Sequence, residues 1–366
     1  MNYQQRIATL QAKLRRRQID AILISKPENR RYLCGFRDGD HGIAETSGLL
    51  LVMAKGAVKF LTDFRYKLQA EQEIPFAETI LYPRGVLKLL EELLRDFDIK
   101  RLGFESDYTL HSFAEELTAT LQKKGIATVA TQDLVESGRI VKDEDEIAAL
   151  RASVRLNEQV FQEVFADIGQ YETEIDVALA IEALMRKKGA EKPSFSSIVA
   201  SGPNGALPHA VPSTATIAPN ASLTIDMGLI LDGYCSDMTR TFVPVKADGR
   251  YIELHRLVRK AQLAGMAAVR DGVKACDVDA AARSIIARAG YGDYFGHSLG
   301  HGVGIAIHED PRVSARNKKQ LKAGMIVTIE PGIYLPGWGG IRLENMVVVR
   351  EDGCENLNHD STWLDI

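Results

Sequence analysis

One stretch of the chain, residues 224–241, limits the possible folds more than any other. It reads T-I-D-M-G-L-I-L-D-G-Y-C-S-D-M-T-R-T, and two runs of apolar and β-branched residues flank the dipeptide Asp232-Gly233. Asp-Gly between two such runs is a strong short-range signal of a two-residue β-hairpin turn. The sequence therefore predicts an antiparallel hairpin at this point.

The register of this hairpin brings two acidic residues together. If Leu231 pairs with Tyr234, then Asp226 lies opposite Thr239, and Asp226 and Asp237 become diagonal neighbours on one face. Two carboxylates that converge inside an apolar hairpin repel each other and lose hydration unless a cation lies between them. The hairpin thus suggests a metal site, although two solvated aspartates on an exposed sheet face would give the same pattern.

A second β-rich block repeats this arrangement. Residues 327–334 (V-T-I-E-P-G-I-Y) are predicted as a strand that carries Glu330, and residues 341–349 (I-R-L-E-N-M-V-V-V) as a strand that carries Arg342 and Glu344. Arg342 and Glu344 are two positions apart and share a face of that strand. Because an acid inside an apolar strand is costly, a second pair of carboxylates strengthens the metal hypothesis.

The segment H-S-L-G-H-G-V-G-I-A-I-H, residues 297–308, lies between the two blocks. His297 and His301 are four residues apart, which would put both on one face of a helix, as in zinc-peptidase helices. The glycines at positions 300, 302 and 304 argue against a helix, so we expect a turn whose backbone approaches a bound group closely. One histidine with four carboxylates suits two divalent ions such as manganese, cobalt or zinc, which would balance four negative charges. His209, in A-L-P-H-A-V-P, gives no such signal by itself.

A chain of 366 residues is long for a single core, so two domains are expected. Over residues 1–132 helical and strand patterns alternate, which predicts a small α/β layer domain. A polar stretch over 133–143 is predicted as a linker. From 144 to 366 the order is two helices, a β-rich block, two helices and a second β-rich block, which predicts a duplicated α+β domain with helices outside one curved antiparallel sheet. Its helices are predicted near 147–167, 174–188, 252–269 and 278–289.

Composition is that of an ordinary globular protein, with 45% hydrophobic and 26% charged residues. The formal net charge of −4 gives no electrostatic reason to expect nucleic acid or an anionic membrane as a partner. The four cysteines have no paired spacing, and the N-terminus has no apolar signal core. We therefore expect a cytoplasmic protein with reduced thiols.

Several motifs of the chain resemble those of the pita-bread metallopeptidases, and within them the Xaa-Pro aminopeptidases (aminopeptidase P) and Xaa-Pro dipeptidases (prolidases). The motifs are S-G-P-N-G-A-L-P-H-A, G-Y-C-S-D-M-T-R-T, G-H-S-L-G-H-G-V-G, T-I-E-P-G-I-Y and G-G-I-R-L-E-N, with K-P-E-N-R-R-Y-L-C-G-F and T-D-F-R-Y in the first part of the chain. Asn345 departs from the aspartate that many relatives have after the last ligand. The resemblance implies five ligands for two divalent ions, manganese foremost: Asp226, Asp237, His301, Glu330 and Glu344.

The resemblance also implies a mechanism, in which a metal-bridging hydroxide attacks the carbonyl before proline and Glu330 acts as general acid and base. It assigns His209 and His308 to hydrogen bonds with the substrate or the tetrahedral intermediate, and His297 to the proline-side pocket. Arg342 would orient the carboxylates or a substrate carboxylate. The implied substrates are short peptides with proline at the second position. The implied assembly is a homodimer.

Other functions stay open at this point. The catalytic motifs are shared by dipeptidases and aminopeptidases and do not separate the two. A metal-free hydrolase resembling creatinase, or a non-catalytic binding module on the same fold, would be expected to have substituted ligands. A methionine aminopeptidase would share the five ligands, and hydrolysis of Met-Ala peptides would reveal it.

Overall fold

The computed structural model describes residues 2–37, 40 and 42–366, and the chain divides into two compact units. The first unit ends at Arg139 and the second begins at Ile140. A short helix, Glu136–Arg139, lies within the predicted linker, and the boundaries at 132 and 144 stay predictions.

The first unit alternates helices and strands, as the sequence pattern predicts. Its helices are α1 (Tyr3–Arg16), α2 (Pro27–Cys34), α3 (Lys67–Glu73), α4 (Val86–Asp96), α5 (His111–Gln122) and α6 (Glu136–Arg139). Its strands are β1 (Ala21–Ile24), β2 (Leu49–Met53), β3 (Val58–Thr62), β4 (Glu78–Leu81), β5 (Arg101–Glu105) and β6 (Ala127–Thr131).

These six strands form one mixed sheet in the order β4-β3-β2-β1-β5-β6. The central strands β1 and β2 are buried at every position, because both faces of the sheet are covered. Apolar residues of α4 and α5, among them Leu90, Leu94, Leu117 and Leu121, pack on one face of the sheet. This unit is therefore an α/β layer structure with its own core.

The second unit contains four long helices and two groups of strands. The helices are α7 (Glu144–Ala166), α8 (Glu174–Lys187), α9 (Gly249–Ala268) and α10 (Ala275–Arg288). The first group of strands is β7 (Lys192–Pro193), β8 (Ile198–Ser201), β9 (Leu223–Met227), β10 (Leu229–Leu231), β11 (Tyr234–Cys235) and β12 (Met238–Phe242). The second group is β13 (Gly300–Gly302), β14 (Glu309–Val313), β15 (Ile326–Ile329), β16 (Gly332–Leu335), β17 (Gly339–Arg342), β18 (Asn345–Val349) and β19 (Cys354–Asn356).

Each pair of helices covers its own group of strands. Phe161 of α7 and Ile181 of α8 pack with Ile225 of β9. In the second half, Val258 of α9 and Val278 of α10 belong to the same apolar cluster as Val327 of β15 and Val347 of β18. The order of helix pair and strands therefore occurs twice, as predicted. Full burial of a Val, Ile, Leu or Phe side chain is worth about 1.5–3 kcal/mol, so these two clusters provide much of the stability.

The first hairpin has the predicted turn and register but is interrupted. Asp232 and Gly233 both have positive φ, and Leu231 pairs with Tyr234. The same register continues between β9 and β12, where Asp226 lies opposite Thr239. Between the two paired segments the ladder of hydrogen bonds breaks at Gly228. A side chain at this position would collide with the backbone oxygen of Ser236, so only glycine fits here.

The second hairpin is interrupted in the same way, which corrects the prediction of continuous strands over 327–334 and 341–349. β15 pairs with β18 and β16 pairs with β17 in one register, while Glu330-Pro331 and the facing pair Leu343-Glu344 lie outside the strands. Proline has no N–H for the ladder, which explains the break at this point. The antiparallel strands of the unit thus form four hydrogen-bonded sheets that follow one another across these interruptions, where we expected one curved sheet.

No helix within the described part of the chain is both long enough and apolar enough to span a bilayer.

Candidate metal centre

Three of the four predicted acidic ligands lie at the interruptions of the two hairpins. Asp237 lies between β11 and β12, Glu330 between β15 and β16, and Glu344 between β17 and β18, while Asp226 is in β9 two residues before the break. At the interruptions of the second hairpin, the backbone N–H groups of Glu330 and Glu344 donate to residues outside that hairpin. The N–H of Glu344, for example, donates to the Thr239 carbonyl of the first hairpin at 3.1 Å. The interruptions therefore turn carboxylates out of the sheets and join the two halves.

The predicted ligands converge on one point. Ligand atoms of Asp237, His301 and Glu344 all lie within 4.8 Å of one another. The His301 Nε2 atom is 3.5 Å from Asp237 Oδ2 and 3.4 Å from Glu330 Oε1. Asp226 is close enough for its charge to raise the pKa of Asp237, Glu330 and Glu344, so all four acids and the histidine are brought together from distant parts of the sequence.

His301 is held in the form that binds a cation. Its Nδ1 atom lies 3.1 Å from the Gly302 carbonyl oxygen, so Nδ1 carries the proton and Nε2 presents a lone pair to the carboxylates. Burial, followed by the neighbouring His308, lowers the pKa of His301 to about 4, which keeps the ring neutral at pH 7. A cation bound between this lone pair and the carboxylate oxygens would satisfy both.

Two carboxylate oxygens of the cluster have no hydrogen-bond partner although they are buried. They are Asp226 Oδ1 and Glu344 Oε1. The other oxygen of each group is satisfied, since Asp226 Oδ2 accepts from Arg342 Nη2 and Glu344 Oε2 accepts from the Thr239 hydroxyl, both at 2.7 Å. One oxygen of each acid is therefore fixed by the protein, and the other is left for a ligand.

Electrostatics supports the same interpretation. Burial, then the neighbouring carboxylates, raises the pKa of Asp237 and of Glu344 well above their ordinary values. Burial also raises the pKa of Glu330 to about 8, against the opposing effect of Arg342. Clustered buried carboxylates are costly unless cations neutralise them. Because the donors are oxygens and one imidazole nitrogen, the residues fit hard divalent ions.

A network of hydrogen bonds connects this cluster to His297. The Arg342 guanidinium donates to Asp226, to the Tyr334 hydroxyl at 2.8 Å and to the Pro208 carbonyl at 3.1 Å. The Tyr334 hydroxyl lies 2.9 Å from His297 Nε2, while Nδ1 of that ring lies 2.8 Å from the Ser298 carbonyl. Nδ1 therefore donates to the carbonyl, and Tyr334 donates to Nε2. Burial, helped by Arg342, lowers the pKa of His297 to about 4, so this ring is neutral as well.

The remaining two predicted histidines lie beside the cluster and are exposed. The rings of His308 and His301 are 4.4 Å apart between centroids. A positive charge on His209 would lower the pKa of both His297 and His308, so His209 is near both rings. The acids thus lie at the buried base of the site, and two histidines remain accessible to a substrate.

Sequence reasoning missed three hydroxyl residues of the site. The hydroxyls of Thr239 and Thr328 donate to Glu344 and Glu330, and both threonines are fully buried. Tyr334 joins Arg342 to His297. Their only local signal is a polar side chain within an apolar strand, which does not indicate the partner.

Comparison with known proteins gives two family matches that together cover most of the chain. Residues 148–351 match "Metallopeptidase family M24", and residues 6–141 match "Creatinase/Prolidase N-terminal domain". The chain is 35% identical over 341 residues to the Xaa-Pro dipeptidase of Pyrococcus horikoshii, which covers 93% of this chain and 92% of that protein.

Solved structures give the same result. The structure is similar to the Xaa-Pro dipeptidase from Bacillus anthracis, with a TM-score of 0.89, 34% identity and 98% of each chain covered. It is also similar to the X-Pro aminopeptidase from Thermotoga maritima, with a TM-score of 0.86, 34% identity, and coverage of 95% of this chain and 98% of that one.

Proposed function

Since the chain belongs to metallopeptidase family M24 and is a metal-dependent peptidase, we propose that it hydrolyses the peptide bond before proline in short peptides. Its two units are the creatinase/prolidase-type N-terminal domain and the pita-bread domain of that family. A dipeptidase and an aminopeptidase are both among the relatives of similar structure, and both activities fit the same site.

The observation that carries the proposal is the convergence of four carboxylates and one neutral histidine, with buried carboxylate oxygens left unpaired. Two divalent ions would be held by Asp226, Asp237, His301, Glu330 and Glu344. Bound there, they would supply an activated water and positive charge beside the scissile carbonyl.

The side chains around the ligands would handle protons and orient the substrate. Glu330 would take the proton of the attacking water and pass it to the proline nitrogen as the C–N bond breaks. His209 and His308, which are accessible, would donate hydrogen bonds to the carbonyl oxygen as negative charge develops on it. His297 would contact the proline side of the substrate.

Arg342 would orient the carboxylates rather than bind a substrate carboxylate. All three of its guanidinium nitrogens already donate to protein groups: Nε to Thr239, Nη1 to Tyr334 and Pro208, and Nη2 to Asp226. These bonds use four of its five N–H groups, so a substrate carboxylate held by two hydrogen bonds would have to displace one of them, which costs about 1–3 kcal/mol.

Proline specificity has a chemical reason. The nitrogen of an Xaa-Pro peptide bond belongs to the proline ring and carries no hydrogen. Peptidases that require an N–H donor at this position therefore recognise the bond poorly. A site in which the histidines contact the carbonyl and a pocket contacts the ring needs no such donor.

We further propose manganese as the metal, a homodimer as the assembly, and the cytoplasm as the location. Manganese accepts carboxylate and imidazole ligands together. The four cysteines are free thiols, which fits a reducing compartment.

Matched peptides test the proposal. With Mn²⁺ present, we expect Leu-Pro to be hydrolysed and Leu-Ala to be cleaved at least about tenfold more slowly, a difference of about 1.4 kcal/mol in the barrier. Equal rates on the two would refute proline specificity. The tripeptide Leu-Pro-Gly then separates the activities, because a strict dipeptidase leaves it uncut and an aminopeptidase releases leucine.

A further inference from the structure

His209 lies in a loop between β8 and β9 that begins with a short 3-10 helix, Gly202–Ala206. We call residues 202–213 the histidine loop. The loop contacts β17 of the second hairpin directly. The Pro208 carbonyl accepts from Arg342, and Gly205 and Gly340 are so close that a side chain on Gly340 would collide with the Gly205 carbonyl. The conformation of this loop therefore determines where the His209 side chain lies.

One buried carboxylate outside the metal cluster organises the loop. Glu174, the first residue of α8, is fully buried, and it makes no ion pair with any described residue. Instead its two oxygens accept five hydrogen bonds, all from the histidine loop and the residue before it: Ser201 N at 2.7 Å, Asn204 Nδ2 at 3.0 and 2.8 Å, Ser213 N at 3.1 Å and Ser213 Oγ at 2.8 Å. A buried carboxylate is costly, and here neutral donors and the N-terminus of α8 stabilise it.

The donors come from both ends of the loop. Ser201 precedes the loop, Asn204 lies in its first turn, and Ser213 closes it. Glu174 thus joins the two ends through a single side chain. The residues between Asn204 and Ser213, which include Pro208 and His209, are constrained as a consequence.

We propose that Glu174 is a positioning residue for His209. It holds the histidine loop in the conformation in which the imidazole faces the site and the Pro208 carbonyl accepts from Arg342. This inference rests on the proposed function in assigning His209 a role in the reaction. Glu174 is not a metal ligand, so its effect on catalysis is expected to pass through the loop alone.

The variant Glu174→Gln tests this with little change of volume. Its amide nitrogen would face N–H and O–H groups that need an acceptor, so at least one bond to the loop is lost. We expect kcat on Leu-Pro to fall about tenfold or more, with the Mn²⁺ content of the protein unchanged.

A double-mutant cycle separates positioning from general stability. If Glu174 acts through His209, then Glu174→Gln combined with His209→Ala should be no more than about twofold less active than His209→Ala alone. If the two reductions multiply, Glu174 does not act through His209 and the inference is wrong.

A second readout does not depend on activity. Leu207 and Val211 in the loop are 59% and 78% exposed, so a loosened loop offers sites to thermolysin, which cleaves beside apolar residues. We expect Glu174→Gln to be cut within 202–213 faster than wild type, and equal cleavage rates would overturn the inference. Failure of wild type to cleave Leu-Pro would instead refute the proposed function, while proteolysis still decides whether Glu174 orders the loop.

A milder variant covers the case in which Glu174→Gln does not fold. Asn204→Ala removes two of the five bonds and leaves Glu174 and the start of α8 intact. The fluorescence of Trp338 and Trp363 reports folding of the second unit. A folded Asn204→Ala protein that has the activity and the thermolysin resistance of wild type would also contradict the inference.

Discussion

The Thr239 hydroxyl donates to Glu344 Oε2 at 2.7 Å, and the other oxygen of Glu344 has no hydrogen-bond partner. Thr239 lies in the first hairpin and Glu344 in the second, so this hydrogen bond is one of those that connect the two halves of the duplicated unit at the metal centre. The bond fixes the rotation of the carboxylate and thereby selects Oε1 as the ligand atom.

Replacing Thr239 with valine should therefore weaken metal binding. Valine keeps the shape of threonine but cannot donate, and loss of such an outer hydrogen bond typically costs about 10–100-fold in metal affinity. Titration of the metal-free protein with Mn²⁺ measures the effect. Thr239→Ser retains the hydroxyl and should bind Mn²⁺ like wild type, and an affinity of Thr239→Val equal to that of Thr239→Ser would contradict this role.

Tyr334 should affect catalysis without affecting metal content. Tyr334→Phe removes the donor to His297 and the acceptor for Arg342 while keeping the ring. Loss of a bond to a charged group is worth about 1.5–3 kcal/mol, so we expect kcat/KM on Leu-Pro to fall about 10–100-fold. The assay is paired with metal analysis of the purified protein, and unchanged kcat/KM would show that the network is not needed.

A buried ion pair should be important for the stability of the second unit. Lys142 Nζ lies 3.1 Å from Glu309 Oε2, and the side chains are only 1% and 6% exposed. Lys142→Met removes the cation that lies beside the buried Glu309 carboxylate, so it should lower the free energy of unfolding by about 3–5 kcal/mol. Urea unfolding followed by the fluorescence of Trp338 and Trp363 measures this.

The double variant Lys142→Met with Glu309→Gln is the control for that prediction. Glutamine carries no charge and keeps an oxygen for the Ala306 N–H, which donates to Glu309 Oε1 at 3.0 Å. The double variant should therefore be more stable than Lys142→Met alone. If Lys142→Met unfolds within about 1 kcal/mol of wild type, the pair has little effect on stability.

His255 should make stability depend on pH. It is fully buried in α9, and burial lowers its pKa to about 4 in the folded protein, against about 6.5 in an unfolded chain. Unfolding then takes up a proton between these values, so this contribution to stability is fully present above about pH 6.5 and is lost as the pH falls toward 4.

His255→Leu removes that proton uptake and fills a similar volume. Between pH 5 and 6.5 the free energy of unfolding of wild type should fall as the pH is lowered. The fall should be steeper than that of the variant by up to about 1.36 kcal/mol per pH unit. Urea titrations at several pH values measure the slope. Identical slopes for variant and wild type would show that His255 does not titrate on unfolding.

Local sequence signals were enough to predict the turn and register of the first hairpin. Asp232-Gly233 takes up the positive φ angles that its turn requires, and the pairing of Asp226 with Thr239 follows from it. Asp143 and Glu146 likewise have the spacing of a capping box, and they form one at the start of α7. These features depend on residues no more than 13 positions apart, the separation of Asp226 and Thr239, and their signals are therefore visible in the sequence.

Features set by distant contacts could not be predicted in the same way. The Tyr334 hydroxyl bonds a histidine 37 positions away, and the donors of the five hydrogen bonds to Glu174 lie up to 39 positions away. The eight-residue helix α2, Pro27–Cys34, was also missed, because Lys26-Pro27 resembles the end of a strand. Pro331 could have indicated the break beside Glu330, since proline cannot take part in a central ladder.

Removal of metal tests the central claim most directly. The protein is treated exhaustively with a chelator, its metal content and hydrolysis of Leu-Pro are measured, and Mn²⁺ is then titrated back. We predict that activity disappears with the metal and returns as two Mn²⁺ ions bind per chain, and that Asp237→Ala restores neither binding nor activity. Hydrolysis of Leu-Pro that persists in protein without detectable metal would contradict the account.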